Sequence, residues 1–175
     1  MTAVSLFLRY HTANALPTAE GAIQIAMEEL PSTLHDARAL VIGCGRLGRA
    51  LAPRLRALGA RVWVSARRYE QRAAAESMGL GSEGVTRLSD WLCSYDLVFN
   101  TVPAPVLGVE ELAALKERAL VIDLASRPGG VNMDAASTLG VRVIWALSLP
   151  GKVAPVTSGR YIRDTVYHIM EESEL

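Results

Sequence analysis

Three glycines, Gly43, Gly45 and Gly48, have the spacing G-x-G-x-x-G, which suits the binding of a nucleotide pyrophosphate. The first permits a tight turn out of a strand, the second lets the backbone approach a phosphate without a Cβ in the way, and the third lets the following helix pack closely on the sheet. The amides that open this helix, on Arg46 and Leu47, would then hold the phosphates. Because an apolar run precedes the glycines and a helical pattern follows them, we expect a dinucleotide site rather than an ordinary turn.

The residues after the next apolar run indicate which dinucleotide is bound. An acidic side chain at the end of the second strand accepts hydrogen bonds from the ribose of NAD, whereas the 2′-phosphate of NADP requires a nearby arginine instead. The chain has Ser65 at this point, followed by Arg67 and Arg68. A hydroxyl and two guanidinium groups are donors that suit a phosphate, so NADP is predicted and NAD is less favoured. The alternative is that the two arginines only solvate a loop.

The loops after the fourth and fifth major strands are expected to complete the site. In an open parallel sheet, ligands bind beyond the carboxyl ends of the strands, so both loops should face the same crevice as the glycines. The residues expected to contact the nicotinamide ribose and ring are Asn100, Thr101, Val102, Pro103, Leu124 and Ala125. For Pro103 and the pair Gly129 and Gly130, ordinary turn chemistry is an equally good explanation.

Three side chains are candidates for contact with a substrate, namely Arg127, Lys152 and His11. Arg127 and Lys152 each follow a predicted strand, and a cation there could hold a substrate carboxylate or, for the lysine, pass a proton. Solvated loop charge is the alternative for both. His11 lies beside Thr12 and Asn14 in a polar segment near the start of the chain, where a hinge would place it at a substrate. The sequence contains no nucleophile paired with a base and no metal-ligand cluster, so no metal is expected.

These residues must be positioned by alternating strands and helices. Short aliphatic runs predict strands at 39–42, 61–65, 97–100, 120–124 and 142–146, with a further short strand around Val85 and Ser89 as an N-cap after it. The runs lack polar alternation, which is typical of a parallel sheet covered on both faces. The predicted fold is therefore α/β, a three-layer Rossmann fold with a parallel sheet.

Helical patterns flank this sheet on both sides of the sequence. Thr18 is the predicted N-cap of a helix that ends at Pro31, and Gly59 is the predicted stop of the helix after the glycine turn. After the last strand we expect a loop at 151–158 and then a C-terminal helix. Its apolar positions are Tyr161, Ile162, Val166, Ile169 and Met170.

Composition restricts the possible partners. The 175 residues include 18 basic and 18 acidic side chains, so no overall field attracts nucleic acid or an anionic membrane, and neither is expected as a partner. No apolar run is long enough to span a bilayer, and no signal peptide is apparent. Cys44 and Cys93 have no redox or metal spacing and are expected to be reduced thiols. These features favour a single cytoplasmic domain.

Long segments of the chain resemble the C-terminal, cofactor-binding part of the family of dipicolinate synthase A-type subunits, and the broader architecture is similar to that of D-2-hydroxyacid dehydrogenases. The segments that carry the resemblance are residues 14–22, the glycine turn, 100–104, 122–131 and 145–157. The resemblance implies an NADP-dependent oxidoreductase of bacterial sporulation that oxidises a dihydrodipicolinate-type dicarboxylate to dipicolinate. It also implies a flavoprotein-like partner, the B-type subunit of dipicolinate synthase.

The family has an N-terminal domain of its own. We therefore expect residues 1–17 to be a connector helix from a missing N-terminal domain, and residues 18–175 to form the dinucleotide-binding domain with its flanking helices. This chain alone is expected to be inactive and, because its apolar surfaces would be uncovered, to form a homo-oligomer. Two alternative functions stay open, namely a non-catalytic dinucleotide-binding regulatory module and a D-2-hydroxyacid dehydrogenase-like oxidoreductase. The second is disfavoured because the arginine, glutamate and histidine set of those enzymes is not evident in the later loops.

Overall fold

The computed structural model describes residues 3–172, and the side chains of residues 12–171. Within them the chain alternates strands and helices. The elements in chain order are α1 (Ala3–Glu29), β1 (Arg38–Ile42), α2 (Arg46–Ala57), β2 (Arg61–Ser65), α3 (Tyr69–Ser77), β3 (Gly81–Glu83), β4 (Leu97–Asn100), α4 (Val109–Ala113), β5 (Leu120–Asp123), α5 (Met133–Leu139), β6 (Arg142–Trp145), α6 (Leu149–Val153) and α7 (Pro155–Glu172). Two 3-10 turns, Leu88–Asp90 and Leu92–Ser94, lie between β3 and β4.

The six strands form one parallel sheet in the order β3-β2-β1-β4-β5-β6. The strand order reverses between β1 and β4, and a crevice opens beyond the carboxyl ends of these two strands. Alternate residues of each central strand point to opposite faces, and both faces are buried. Val41 belongs to one core and Ile42 to the other. This double burial explains the continuous apolar runs in the sequence.

Helices cover both faces, which gives the three layers of a Rossmann fold and confirms the predicted fold class. On one face α1, α2 and α6 pack on the sheet through small and branched residues such as Ala22, Leu51 and Leu149. The 3-10 turns, α4 and α5 cover the other face through residues such as Leu92 and Leu112. The predicted strands 61–65 and 97–100 match β2 and β4, and Gly59 follows the C-cap of α2 with φ of 88°, as a helix stop requires.

The strand predicted around Val85 lies earlier in the chain, at Gly81–Glu83. Its first residue packs against the indole of Trp63 so closely that a Cβ would overlap the ring. Ser89 is not an N-cap, because the turn Leu88–Asp90 follows Arg87 and the Ser89 hydroxyl donates to Glu110 at 2.9 Å. Cross-chain contacts therefore determine this segment more than its local pattern does.

The first helix is longer than the sequence pattern predicts. Thr18 is not its N-cap, because α1 begins at Ala3 and runs through Pro17 to Glu29. A proline inside a helix removes one backbone N–H donor. Next to it, the Thr18 hydroxyl donates to the carbonyl of Asn14 at 2.7 Å, a bond typical of threonine inside a helix. The predicted connector and the first helix of the domain are thus one continuous element.

The loop predicted at 151–158 is also wrong, because this segment is helical. It contains most of α6 and the start of α7, separated by Ala154. Pro155 is the first residue of α7, a position where the missing N–H costs nothing. Ser158 is buried and its hydroxyl donates to the carbonyl of Pro150 at 2.9 Å, which ties the two helices together. Among the described residues, no helix is both long and apolar enough to cross a membrane.

Candidate dinucleotide site

A cleft of about 390 Å³ opens beyond the carboxyl ends of β1, β2 and β4. It lies at the point where the strand order reverses, which is where open parallel sheets bind ligands. Residues from the glycine turn, the end of β2, the start of α3 and the loop after β4 form its walls. The lining residues are Ile42, Gly43, Cys44, Gly45, Ser65, Ala66, Arg67, Gln71, Val85, Thr101, Val102, Pro103, Ala104, Pro105 and Val106.

The three glycines of the turn have different structural reasons for lacking a side chain. Gly43 has φ of 103°, in the left-handed region, and a Cβ there would overlap the Thr101 hydroxyl. A Cβ on Gly48 would overlap the carbonyl oxygen of Gly43. Gly45 differs, because a Cβ there would meet no protein atom within 4 Å and would point into open space. The protein itself therefore has no need of glycine at position 45, and a group lying above the turn does.

The N-terminus of α2 is suited to an anion. Gly45 precedes this helix and has no side chain to cap it. The first amides of a helix have no partner within the helix, and the helix dipole makes this end positive. Arg46 and Leu47 supply the first of these amides, and the exposed Arg46 side chain adds a positive charge. This turn therefore fits a pyrophosphate that lies on Gly45 and accepts hydrogen bonds from the backbone.

The end of β2 presents cations to the cleft. Arg67 lines it, and the exposed Arg68 follows as the residue that caps α3. Ser65 is fully buried, and its hydroxyl donates to the carbonyl of Gly84 at 3.1 Å. The hydroxyl thus holds the neighbouring loop in place and is not a free donor for a phosphate. None of the described residues that line the cleft is acidic.

The nearest strand-end carboxylate belongs to Glu83, which pairs with Ser65 across β2 and β3. Glu83 does not line the cleft. Burial raises the pKa of Tyr95 to about 12, and the negative charge of Glu83 contributes to this increase. Glu83 therefore exerts its charge on Tyr95, in the core on the other face of the sheet, rather than on the position of an adenosine ribose.

The loop after β4 forms the opposite wall. The hydroxyl and the amide of Thr101 both donate to the carbonyl of Ile42, each at 2.9 Å, which fastens the loop to β1. Asn100 is fully buried, and its side-chain oxygen accepts from the amide of Val102 at 3.0 Å. Its side-chain nitrogen donates to the carbonyl of Val102 at 3.0 Å and to Asp123 Oδ1 at 2.8 Å. The Asn100 side chain thus holds the wall from behind.

The loop after β5 is held by the same buried carboxylate. Asp123 is 1% exposed, and besides Asn100 it accepts from the amide of Ala125 at 3.0 Å and the amide of Gly130 at 2.9 Å. The carbonyl of Ala125 accepts from the Trp145 indole at 2.9 Å. The Leu124 amide donates to the carbonyl of Asn100. Leu124 and Ala125 therefore have buried side chains and engaged amides, and neither lines the cleft.

The three candidates for substrate contact lie outside the cleft walls. Arg127 is exposed in the loop after β5, and Lys152 is exposed on α6 rather than in the predicted loop. His11 belongs to α1, but its side chain lies outside the described residues. Within the part of the chain whose side chains are described, no group of three or more histidine, cysteine or acidic residues is placed to hold a metal ion.

The cleft brings together Gly43, Gly45, Ser65, Arg67, Thr101, Val102 and Pro103 from the predicted cofactor residues. It also includes Gln71 and Val85, which the sequence analysis did not select. Gln71 lies in the first turn of α3, and the position of that helix just after Arg68 is the signal that would have found it. Asp123 was visible in the sequence but its role was not, because its three donors lie between two and 23 residues away.

A six-stranded parallel sheet with a glycine turn at the reversal of strand order defines a dinucleotide-binding domain of the Rossmann type. The family described as the NAD binding domain of D-isomer specific 2-hydroxyacid dehydrogenases matches residues 3–137. The chain belongs to this family.

Within this class, the chain is similar to the A-type subunit of dipicolinate synthase from Bacillus subtilis, with 35% identity over 171 residues, which are 97% of this chain and 58% of the relative. The match to the crystal structure of that protein covers 94% of this chain and 55% of the other, at 34% identity and a TM-score of 0.91. The match to the crystal structure of its counterpart from Bacillus halodurans covers 92% and 55%, at 36% identity and a TM-score of 0.90. The resemblance predicted from the sequence is confirmed, and the chain spans little more than half the length of these relatives.

Proposed function

We propose that the chain is the cofactor-binding part of an enzyme like the A-type subunit of dipicolinate synthase, which uses NADP to oxidise a dihydrodipicolinate-type dicarboxylate to dipicolinate. The observation that carries the proposal is the open space above Gly45, next to the uncapped start of α2. The similarity to dipicolinate synthase supports the substrate class, the sporulation role and a B-type subunit as partner. The two free cysteines, Cys44 and Cys93, support a reducing, cytoplasmic setting.

The residues of this chain would divide the cofactor between them. The pyrophosphate would lie on Gly45 and the amides of Arg46 and Leu47, the 2′-phosphate near Arg67 and Arg68, and the nicotinamide half along the loop 101–106. A bound nicotinamide supplies the acceptor for a hydride, and the substrate loses a proton as its ring becomes aromatic. The protein's task is to orient the ring and to neutralise its two carboxylates.

Calorimetric titration with the two oxidised dinucleotides tests the proposal. We expect NADP to bind more tightly than NAD, because the end of β2 offers arginines and the described cleft lining offers no carboxylate. A chain that binds neither dinucleotide would contradict the proposed function. Equal affinities would contradict the choice of NADP alone.

For Lys152 we propose contact with a substrate carboxylate, together with Arg127 and His11. Changing Lys152 to methionine keeps the length of the side chain and removes its charge. In a full-length protein that contains this chain, assayed with its partner protein, we expect turnover to fall about tenfold while NADP affinity stays within about twofold. The measurement is the ultraviolet absorbance of the pyridine dicarboxylate as it forms. A fully active variant would remove Lys152 from the site, and a wild-type pair that forms no such product would contradict the dipicolinate assignment.

The family match favours a second candidate, an oxidoreductase that acts on a 2-hydroxy acid. The assay separates the two, because a 2-hydroxyacid dehydrogenase reduces the cofactor with a 2-hydroxy acid and forms no pyridine product. A regulatory module would bind the dinucleotide without turnover of either substrate in the complete protein.

We expect this chain to self-associate. On α7, Ile162, Val166 and Ile169 are 50%, 48% and 42% exposed and share one helix face. Exposed apolar patches of this kind mark contact surfaces. Light scattering at several concentrations should show a dimer or larger species, and the double change of Ile162 and Ile169 to glutamate should shift it to monomer. Val109 on α4 is 60% exposed and its change to glutamate is the control. A wild-type chain that stays monomeric at every concentration would contradict this prediction.

A further inference from the structure

The two loops that approach the nicotinamide end of the cleft share one buried anchor. The Asp123 carboxylate accepts three hydrogen bonds, from the side chain of Asn100 and from the amides of Ala125 and Gly130. Asn100 in turn holds both backbone groups of Val102, which lines the cleft. Asp123 lies at the carboxyl end of β5, so this anchor is directly beneath both loops.

A second link runs through Gly130. Its carbonyl accepts from the amides of Val106 and Leu107, each at 3.0 Å, so the loop after β5 also holds the far end of the loop after β4. A Cβ on Gly130 would approach the carbonyl oxygens of Val102 at 2.6 Å and Ala104 at 2.9 Å, which shows how closely the loops are packed. Displacing Gly130 would therefore move the wall formed by residues 101–106.

We propose that Asp123 is a positioning residue that holds the cleft wall for the nicotinamide half of the dinucleotide, with Asn100 as its link to that wall. The inference rests on the proposed function. Asp123 touches no ligand in this account, because its two oxygens are fully engaged inside the protein. In a Rossmann site the adenosine lies at the end of β2, so the adenine half does not depend on the loops after β4 and β5.

The isosteric change Asp123→Asn tests the inference. An amide has one acceptor oxygen, so its nitrogen must face at least one of the three donors and at least one bond is lost. We expect the dissociation constant for NADP to rise about tenfold, which is about 1.4 kcal/mol. The affinity for adenosine 2′,5′-bisphosphate, a probe for the adenine half alone, should stay within about twofold, because that half lies at the end of β2. Both are measured by calorimetry at a temperature where circular dichroism shows the variant folded.

Asp96→Asn is the matched control. Asp96 precedes β4 at the opposite edge of the sheet and accepts from the amide of Arg38 at 2.9 Å and from Lys116 at 2.6 Å. Burial alone would raise its pKa, but the hydrogen bonds from Lys116 and Arg38 outweigh this and lower it. The change should therefore reduce stability while leaving the affinity for both probes within about twofold, because the cleft lies at the other edge of the sheet.

Asn100→Ala is a second variant, which avoids the clash of donors if Asp123→Asn does not fold. It leaves Asp123 with the amides of Ala125 and Gly130, and it should show the same separation between NADP and the adenine probe. Unchanged NADP affinity in a folded variant would overturn the inference alone. Equal loss of both ligands would also overturn it, since that is the result of a general structural role. A wild-type chain that binds the adenine probe but neither dinucleotide would overturn the proposed function and this inference with it.

Discussion

Replacing Gly45 by valine is expected to weaken dinucleotide binding at least about a hundredfold while the fold persists, because nearly 3 kcal/mol of binding free energy is easily lost to a steric overlap. In the protein alone a Cβ at this position meets nothing within 4 Å. The backbone there has φ of −80° and ψ of −163°, which valine adopts readily. The substitution therefore fills the space in which the pyrophosphate would lie. Calorimetry gives the affinity, and circular dichroism shows whether the fold persists.

The control for this experiment is another glycine with open space around it. A Cβ at Gly159, on α7, also meets no atom within 4 Å. Gly159→Val should leave the affinity unchanged, and Gly45→Val should cost about 1 kcal/mol of stability, since valine is a poorer N-cap than glycine. Retained dinucleotide affinity in folded Gly45→Val would mean that the glycine turn is only a turn. Gly43 and Gly48 do not allow this test, because their own protein contacts exclude a side chain.

Changing both Arg67 and Arg68 to alanine is expected to weaken NADP binding about a hundredfold and to leave NAD binding within about twofold. Two charge-assisted hydrogen bonds to the 2′-phosphate account for a loss of a few kcal/mol, and NAD has no such phosphate. Because Arg67 lines the cleft and Arg68 does not, the single change of Arg67 should have the larger effect. Calorimetric titration of the double and single variants with both dinucleotides measures these effects.

The control must remove the same charge elsewhere. Arg118 and Arg160 are both exposed and neither lines the cleft, so their double change to alanine alters the net charge equally. This variant should keep the affinity and the NADP preference, apart from a small effect that salt screens. If the Arg67 and Arg68 variant weakens NAD as much as NADP, the arginines act as a general positive field. If it weakens neither, they only solvate the loop.

The strands were predictable from the sequence because burial on both faces leaves a continuous aliphatic run. The run at β4, for example, contains Leu97, Val98 and Phe99, all fully buried. The errors concern helix boundaries near proline. Pro17 lies inside α1 and Pro155 begins α7, and local rules for proline favour a helix start in both cases. Which of the two was a true start depends on packing against other helices, and the sequence pattern does not contain that information.

The glycine turn was predictable because its spacing and its flanking elements are local. The arrangement behind it was not. Asn100 was expected to contact the cofactor, yet its side chain is turned inward and bound to Val102 and Asp123. Ser65 was expected to contact a phosphate, yet its hydroxyl is bound to Gly84. In both cases the partner is supplied by another part of the chain, so a polar residue at a strand end does not by itself predict where the polar group points.

The packing of α1 against α2, α6 and α7 has a consequence for the order of folding. Gly21 on α1 lies so close to α6 that a Cβ would meet Leu149 and Val153 at 3.1–3.2 Å. Arg142 at the start of β6 forms an ion pair with Glu29 at the end of α1. An early helix therefore acquires its partners only after β6 and the helices beyond it have been synthesised. Contacts of such long sequence separation slow folding, and until they form the apolar face of α1 is one for a chaperone to cover.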